Sequence, residues 1–444
     1  MTVDLHFGDN LEWLRRLPAG IVDLCYIDPP FNSQADYNII VGGAQVKAFG
    51  DTWSWDIEDV KTQLRLLIAE EPVSRWSKGM MLTIGSCGMF SYLLFMAERL
   101  IEIKRVLKST GSIYVHCDKF ANFHIRLLMN AVFGPENFRN EIVWCYSGGG
   151  TPHKDYPRKH DTLLRYTKTD NYNFNVEYRP YSAGIVPMHS NGEPLDLKRG
   201  TPVTDWWTDI KIVTPFSAAR KEKIGYPTQK PLALLERIIL ASSNPGDMVM
   251  DCFMGSGTTG VAAVKNGRNF MGCDITFHAV DIAMDRLKGM DEPPEVTLTG
   301  HPETLDDARE LATHDRFQFQ AWALDMVECN PSATRTAKRG KDSGIDGRQV
   351  VILKDNSTYT TIVSVKSGKP RPGDLRDLVG TVSREKAQRG VLLMLDEPTG
   401  DMVRDAATVG IGDHGEAKCI VLTAQDLLDG KKIPIVQGGK DEMP

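Results

Sequence analysis

A carboxylate followed by two prolines and an aromatic ring is the first feature of this 444-residue sequence that could do chemistry. Asp28, Pro29, Pro30 and Phe31 come directly after the apolar run Val22–Ile27, which predicts a buried strand. The prolines fix the backbone and remove two N–H donors, so nearby carbonyl oxygens remain available as acceptors. A carboxylate, a carbonyl and an aromatic face together suit a planar ring that carries an amino group. Taken alone, the two prolines are better explained as a rigid turn that closes a strand.

The second such feature is a glycine-rich turn, residues 251–259, between a predicted strand and a predicted helix. Small residues let the backbone approach a ligand, and a helix N-terminus offers N–H groups, so such turns usually bind nucleotide-like molecules. The turn lacks Gly-Lys-Ser/Thr and does not fit the dinucleotide fingerprint. About twenty residues after Gly255, a predicted strand ends in Asp274, where a carboxylate can accept hydrogen bonds from ribose hydroxyls. A tight turn with a capping Ser or Thr explains a lone Gly-x-Gly equally well.

Both features stand at strand ends in a chain that alternates short apolar runs with helical stretches, which is typical of an α/β sheet. Because open α/β sheets bind ligands at the carboxyl ends of their strands, we expect both features at one edge. Residues 148–225 have weak periodicity and predict an irregular insertion. The strands and the helix predicted in this part of the chain are Val22–Ile27, Ser112–Cys117, Ile142–Tyr146, Thr162–Tyr166, Met248–Met250, Phe270–Cys273 and the helix Pro231–Ser243.

A second α/β unit is predicted after a boundary near Asp291–Pro294. We therefore expect two domains, residues 1–292 and residues 300–444. The elements predicted in the second domain are a helix over Thr304–Val327, strands over Gln349–Leu353 and Thr360–Val365, a helix near Asp374–Gln388, a strand over Gly390–Leu395 and a helix–strand–helix tail.

The composition is that of a globular protein, with 41% hydrophobic and 25% charged residues. A net charge of −6 argues against coating nucleic acid through bulk charge, although a local basic channel is compatible with it. No apolar stretch is long enough for a membrane span, and the eight cysteines lack metal-ligand spacing, so we expect a cytoplasmic protein of prokaryotic or phage type. Two basic clusters, which alone would indicate solvated surface, are His153, Lys154, Arg158, Lys159, His160, Arg165 and Lys168, and Arg335, Lys338, Arg339 and Lys341.

Together, Asp-Pro-Pro-Phe and Asp-x-Phe-x-Gly-Ser-Gly-Thr-Thr resemble the motifs of the DNA amino-methyltransferases. The catalytic motif precedes the cofactor motif, which is the permuted order of the β group. Gly8–Glu12, Tyr226–Pro231 and Ser242–Asp247 resemble further blocks of that family. The resemblance covers residues 4–290 and implies a Rossmann-like, mostly parallel sheet with an antiparallel strand.

The resemblance also implies a mechanism and a set of partners. Asp28 and the Pro29 carbonyl would accept the N–H bonds of an amino group, and Phe31 would stack on a base flipped out of double-stranded DNA. The step requires no metal. Residues 148–225 would recognise the target sequence, with a homodimer as a possible assembly. The residues implied near S-adenosylmethionine are Asp9, Lys230, Asp251, Phe253, Gly255, Ser256, Gly257, Thr258 and Asp274.

Alternatives to this activity stay open. An aspartate at the first position of the catalytic motif is typical of adenine-N6 enzymes, whereas cytosine-N4 enzymes more often carry serine, so adenine N6 is favoured. A restriction–modification fusion that also cuts DNA is a second alternative. A non-catalytic DNA-binding protein with a retained cofactor fold is a third, which the intact Asp28 and glycine turn disfavour.

The second domain resembles the Mrr-type restriction endonuclease fold through residues 341–347 and 363–368. The resemblance implies that Asp346 binds Mg²⁺ and that Lys366 polarises the attacking water or the phosphate. The sequence departs from the pattern where Ser364 replaces the usual Glu or Gln, and where Gln318 or Gln320 replaces an acidic residue. Three interpretations remain, in order of preference: a non-cleaving DNA-binding or scaffold module, a working nuclease, and an unrelated appendage.

Overall fold

The computed structural model divides the chain into two compact units, of which the first is Met1–Asp36, Gly50–Asp274 and Ala279–Thr299 and the second is Tyr37–Phe49, Ile275–His278 and Gly300–Pro444. Phe31 and the basic cluster of residues 335–341 lie outside the described residues. No helix in the described part is long and apolar enough to cross a membrane. The described residues are 1–30, 36–41, 44–50, 55, 57–68, 71–147, 153–181, 200–214, 222–224, 226, 228–314, 316–327, 329–331, 345–352, 358–412 and 415–434.

The first 299 residues contain both strands and helices. The strands are β1 Thr2–Phe7, β2 Val22–Ile27, β3 Asp36–Val41, β4 Ala44–Gly50, β5 Leu107–Cys117, β6 Phe138–Cys145, β7 His160–Thr167, β8 Tyr178–Arg179, β9 Thr201–Pro202, β10 Trp206–Trp207, β11 Met248–Asp251, β12 Asn269–Asp274 and β13 Glu295–Thr299. The helices are α1 Asn10–Arg16, α2 Ile57–Leu67, α3 Val73–Ile84, α4 Gly88–Val106, α5 Asn122–Phe133, α6 Leu232–Ser242, α7 Thr258–Lys265 and α8 Phe277–Lys288, with a 3₁₀ turn at Pro135–Asn137.

A nine-stranded sheet in the order β10-β6-β7-β5-β2-β11-β12-β1-β13 forms the centre of the first unit. The pairs on either side of β2 and β11 are parallel, and β7 runs antiparallel to β5 and β6. The connection after β2 leads to β5 on one side, and the connection after β11 leads to β12 on the other. The sheet therefore has its topological switch point between β2 and β11, where open α/β sheets bind ligands.

The α/β class, the mostly parallel sheet and the antiparallel strand predicted from the sequence are confirmed. All six residues of β2 are buried, as its mostly apolar sequence predicts for a strand covered on both faces; Asp23 is the charged residue among them. Residues 148–225 are less irregular than expected, because β7 within them is a buried strand between β5 and β6. β13 lies in the interval between the two predicted domains and pairs with β1 in parallel.

The second unit contains a five-stranded sheet in the order β14-β15-β16-β17-β18. β15 pairs antiparallel with both neighbours, whereas β16, β17 and β18 are parallel. The helical stretch predicted over Thr304–Val327 is helical on both sides of residue 315, which lies outside the described residues. The elements are α9 Leu305–His314, α10 Arg316–Met326, β14 Asn330–Pro331, β15 Gly347–Ile352, β16 Thr358–Lys366, α11 Pro372–Arg384, β17 Arg389–Met394, α12 Gly400–Thr408, β18 Cys419–Thr423 and α13 Ala424–Leu428.

Candidate active site

Asp28 lies directly after β2, at the switch point of the large sheet, and forms an ion pair there. Lys230 Nζ donates to Asp28 Oδ2 at 2.5 Å, and the two side chains are only 13% and 16% exposed. Among the described residues, no donor lies within hydrogen-bonding distance of Asp28 Oδ1, which is nonetheless buried. A buried acceptor without a donor costs on the order of 1–3 kcal/mol. Oδ1 is therefore suited to accept an N–H bond from a ligand.

Pro29 is buried and Pro30 half-buried, so the turn after Asp28 is packed as well as stiff. Phe31, the fourth member of the predicted catalytic motif, lies outside the described residues. Its stacking on a base therefore stays a prediction.

A hydrogen-bonded chain of largely buried side chains begins at Tyr26, two residues before Asp28. Tyr26 Oη lies 3.0 Å from His116 Nδ1, and His116 Nε2 lies 3.3 Å from Asp161 Oδ2. Tyr146 Oη donates to Asp161 Oδ1 at 3.1 Å. Burial opposes ionisation of Asp161, but the hydrogen bond and charge of His116 and the charge of Lys230 lower its pKa overall. Asp161 is therefore a second carboxylate that acts on Lys230.

We expect Asp161→Asn to reduce the kcat of the reaction at this site about tenfold. Loss of the Asp161 charge would shift Lys230 and with it Asp28, and small displacements of reacting groups are costly. The substitution keeps the shape of the side chain, removes the charge that acts on Lys230, and leaves one acceptor oxygen where His116 and Tyr146 now use two. Asp155→Asn is the matched control, since Asp155 is an exposed partner of Arg158. Steady-state kinetics should show the loss in kcat with little change in KM. An equal change in both variants would contradict a positioning role for Asp161.

The glycine turn follows β11, and Asp251, the last residue of that strand, forms hydrogen bonds to residues of the turn and of the helix after it. Asp251 is 2% exposed; its Oδ2 accepts from Thr259 Oγ1 at 2.5 Å and its Oδ1 from Phe253 N at 3.0 Å. Gly255 N donates to Asp274 Oδ2 at 2.9 Å. The structure thus brings the two predicted cofactor carboxylates, Asp251 and Asp274, to opposite sides of one turn. The described contacts of Asp251 hold the turn in shape.

Burial raises the pKa of Asp251 to about 7 from its usual 3.8. A carboxyl group with a raised pKa stays protonated in the folded chain while it ionises in the unfolded chain. The free energy of unfolding should therefore decrease as the pH rises from 4 to 7, by at most about 1.4 kcal/mol per pH unit. Asp251→Asn should remove this fall, whereas the exposed control Asp291→Asn should retain it. Chemical unfolding across this pH range measures both, and parallel profiles for wild type and Asp251→Asn would refute the expectation.

Gly257 is the residue of the turn with the least room. It adopts φ +74°, and an added Cβ would lie 2.6 Å from the Cβ of Ala283. We expect Gly257→Ala to destabilise the fold by about 1–3 kcal/mol, because a packed site resists an extra methyl group.

Gly246→Ala is the matched control for Gly257→Ala, since Gly246 has φ +87° and open space around its Cα. It should show only the smaller cost of the backbone conformation. Ala283→Gly should partly rescue Gly257→Ala in thermal unfolding. Equal losses in the two alanine variants would show that the close approach to Ala283 is unimportant.

Arg286 of α8 clamps the end of the turn. Its Nη1 donates to the Ser256 carbonyl at 2.5 Å and to Thr258 Oγ1 at 3.1 Å. Ser256 and Thr258 were predicted to contact a cofactor, and their described contacts are with this arginine. Their direct contact with a cofactor stays a prediction.

Asp9, at the end of β1, joins the same edge through the start of α1. It caps the helix by accepting from Leu11 N at 2.8 Å, and it pairs with Arg99 Nη2 at 2.9 Å. Arg99 Nε also donates to Asn10 Oδ1 at 2.6 Å, and Asn10 Nδ2 donates to the Cys252 carbonyl at 2.7 Å. This network, in which Arg99 and Asn10 are buried and Asp9 is exposed, fixes the ends of β1 and β11 against each other.

The basic cluster within residues 148–225 divides into exposed and buried parts. His153, Lys154 and Arg158 are exposed. Arg165, contrary to the expected surface position, is 3% exposed and lies over aromatic rings, the nearest 4.3 Å away. Lys168 Nζ donates to a backbone carbonyl at 2.6 Å. Arg165 and Lys168 therefore stabilise the fold, Arg165 by its buried position in β7 and Lys168 by its hydrogen bond to the backbone.

In the second unit, the structure brings the predicted residues Asp346 and Ser364 together. Ser364 Oγ donates to Asp346 Oδ2 at 3.2 Å, and Gln320 Nε2 donates to Asp346 Oδ1 at 2.5 Å. Lys366 follows Ser364 by two residues on β16, so both side chains leave the same face of the strand.

Sequence reasoning missed several residues of the first site. His116 carried a signal, since an imidazole stood inside an otherwise apolar predicted strand. Asn10 stood inside a recognised block. Arg99, Asp161 and Arg286 carried no signal, because their partners are distant in the chain.

Comparison with known proteins gives matches over both parts of the chain. The family described as DNA methylase, of the N6/N4 type, matches residues 22–285, and the family described as restriction endonuclease, of the Mrr type, matches residues 311–427. The DNA adenine methyltransferase YhdJ of Escherichia coli K12 is 28% identical over 63% of this chain and 81% of its own length. The type II methyltransferase M.HinfI of Haemophilus influenzae is 29% identical over 65% of this chain and 68% of its own length.

Among solved structures, a putative DNA modification methylase from Thermus thermophilus, complexed with S-adenosyl-L-methionine, is 18% identical. The match covers 68% of this chain and 99% of that chain, with a TM-score of 0.39. The DNA methylase match spans more than half of the 444 residues and includes both the Asp28 motif and the glycine turn. The chain belongs to the DNA methylase family of the N6/N4 type, and its first unit is a DNA methyltransferase.

Proposed function

We propose that this chain transfers a methyl group from S-adenosylmethionine to N6 of an adenine flipped out of double-stranded DNA. The observation that carries the proposal is the buried Asp28 Oδ1, which has no donor among the described residues and stands at the sheet's switch point. We assign the reaction to residues 1–292, with target recognition in residues 148–225 and the second domain in residues 300–444. The aspartate in the catalytic motif and the adenine methyltransferase among the relatives favour adenine over cytosine.

The residues at this edge fit S-adenosylmethionine as the cofactor. Asp274 is the last residue of β12, and its half-buried carboxylate would accept hydrogen bonds from the ribose hydroxyls of the cofactor. The partly buried Phe253 would contact the adenine ring of the cofactor. Gly255 and Gly257, with φ +49° and +74°, let the backbone of the turn come close to a ligand. When bound, the cofactor supplies an electrophilic methyl group on a sulfonium. Direct contacts from Asp9 and Lys230 are also proposed.

The chain's own residues address one chemical difficulty, which is that an exocyclic amino nitrogen shares its lone pair with the ring. Asp28 Oδ1 would accept one N–H bond and the Pro29 carbonyl the other, which draws the lone pair towards the methyl group. Lys230 holds Asp28 by its other oxygen, so the carboxylate is oriented before the base arrives. Asp161, with its hydrogen-bond partners His116 and Tyr146, would help to keep Lys230 in place. Positioning and electrostatics therefore carry the step, and no covalent enzyme intermediate is needed.

Product analysis tests the proposal. Unmethylated duplex DNA of varied sequence is incubated with the chain and tritiated S-adenosylmethionine, then digested to nucleosides and separated by chromatography with mass detection. We expect label in N6-methyladenine. Label in N4-methylcytosine would overturn the assignment of the base, and no label on any DNA would overturn the activity. Single-stranded DNA of the same sequence tests the duplex requirement.

We further propose that the enzyme acts on DNA in the cytoplasm, where that substrate lies in a prokaryotic cell. A homodimer stays a prediction. Sedimentation analysis of the purified chain with and without DNA tests it.

A further inference from the structure

The carboxylate of Asp346, in the second unit, is closed in by hydrogen-bond donors. Gln320 Nε2 donates to its Oδ1 at 2.5 Å. Ser364 Oγ and Val365 N donate to its Oδ2 at 3.2 and 2.7 Å. The side chain lies between α10 and β16, and Asp346 N donates to the Val363 carbonyl at 2.9 Å. Both carboxylate oxygens of Asp346 therefore already accept hydrogen bonds from the protein, and a metal would have to compete with these donors.

These donors do not fit a Mg²⁺ site. The ion demands near-octahedral oxygen coordination and is usually held by one or two carboxylates with water or phosphate. At the two positions that face Asp346, the chain has an amide and a hydroxyl, Gln320 and Ser364, which add no negative charge. Within the described residues, no group of three or more His, Cys, Asp and Glu side chains is placed to hold a metal ion.

The cluster of Gln320, Asp346 and Ser364 contains one carboxylate, so its field attracts a divalent cation less strongly than the field of three carboxylates would. The cluster of Gln320, Asp346 and Ser364 has the properties of a hydrogen-bonded anchor between a helix and a strand.

We propose that the restriction-endonuclease-like unit of this chain holds no catalytic metal and does not cleave DNA, because Gln320 and Ser364 have converted its metal centre into a hydrogen-bonded anchor for Asp346. The chain then modifies DNA without cutting it. Carboxylates at the two converted positions would reopen the centre. The inference is independent of which base is methylated.

Manganese binding tests the proposal directly, since the free Mn²⁺ signal in electron paramagnetic resonance falls when the ion is bound. Wild type and Asp346→Asn should bind Mn²⁺ equally weakly. Gln320→Glu/Ser364→Glu should bind it at least tenfold more tightly than wild type. Gln388→Glu is the matched control, because it adds the same charge at an exposed position of this unit, and it should bind like wild type. Tighter binding by wild type than by Asp346→Asn would overturn the proposal.

Plasmid cleavage provides the second measurement. Wild type with Mg²⁺ or Mn²⁺ should leave unmethylated supercoiled DNA intact, and nicking that Asp346→Asn abolishes would overturn the proposal. Failure of a folded double variant to gain Mn²⁺ binding would refute the assignment to Gln320 and Ser364. If the double variant does not fold, Gln320→Glu alone is used, with thermal unfolding in the presence and absence of Mn²⁺. A Tm raised by Mn²⁺ in that variant but not in wild type supports the proposal, and no difference refutes it.

Discussion

Asp28→Asn should reduce methyl transfer to DNA on the order of a hundredfold to a thousandfold, with most of the loss in kcat. The amide keeps the shape of the side chain but has one acceptor oxygen instead of two and no charge. It also presents an N–H₂ group where Oδ1 or Oδ2 now lies, so either the incoming amino group or Lys230 meets a donor. Single-turnover transfer of tritiated methyl groups, at saturating DNA and cofactor, measures the chemical step.

Two further measurements separate catalysis from folding in this prediction. Cofactor affinity, by calorimetry, should change little in Asp28→Asn, because Asp251 and Asp274 shape the turn without it. Asp28→Asn/Lys230→Met removes both buried charges, so its unfolding temperature should recover relative to either single variant while its activity should not. Near-wild-type transfer by Asp28→Asn would remove Asp28 from the reaction.

Lys230→Met should be the second most damaging substitution, with a loss of about tenfold to a hundredfold at pH 7. Methionine fills a similar volume, but it removes the cation that now lies 2.5 Å from the Asp28 carboxylate, which is only 16% exposed. Without the lysine, the carboxylate is no longer held in one orientation before the base arrives, so most of the loss should fall on kcat.

The matched control for Lys230→Met is Lys265→Met, because Lys265 pairs with Glu236 at 2.8 Å but is 55% exposed. That variant should keep wild-type activity, as exposed ion pairs contribute little. An equal loss in the two variants would show that the contact of Lys230 with Asp28 is unimportant. A rise in KM for the cofactor with unchanged kcat would favour the direct cofactor contact instead.

The sequence alone determined the class of the fold, most of its strands and the two motifs. β2, β11 and β12 were predictable because short, mostly apolar runs bounded by turn residues specify buried strands locally. The Asp28 motif and the glycine turn were recognisable because rigid prolines and positive-φ glycines are requirements of the backbone itself. The departures at Gln320 and Ser364 were equally visible as single letters.

Only the tertiary structure decided which side chains act on one another. Lys230 meets Asp28 across 202 residues of chain, and Arg99 meets Asp9 across 90, through a strand order that no local pattern encodes. β7 was predicted as a strand, yet only its pairing with β5 and β6 shows that Arg165 is buried. Gln320 and Ser364 became informative when both were found to donate to Asp346. Such contacts depend on long-range packing, whereas propensity and turn chemistry act over a few residues.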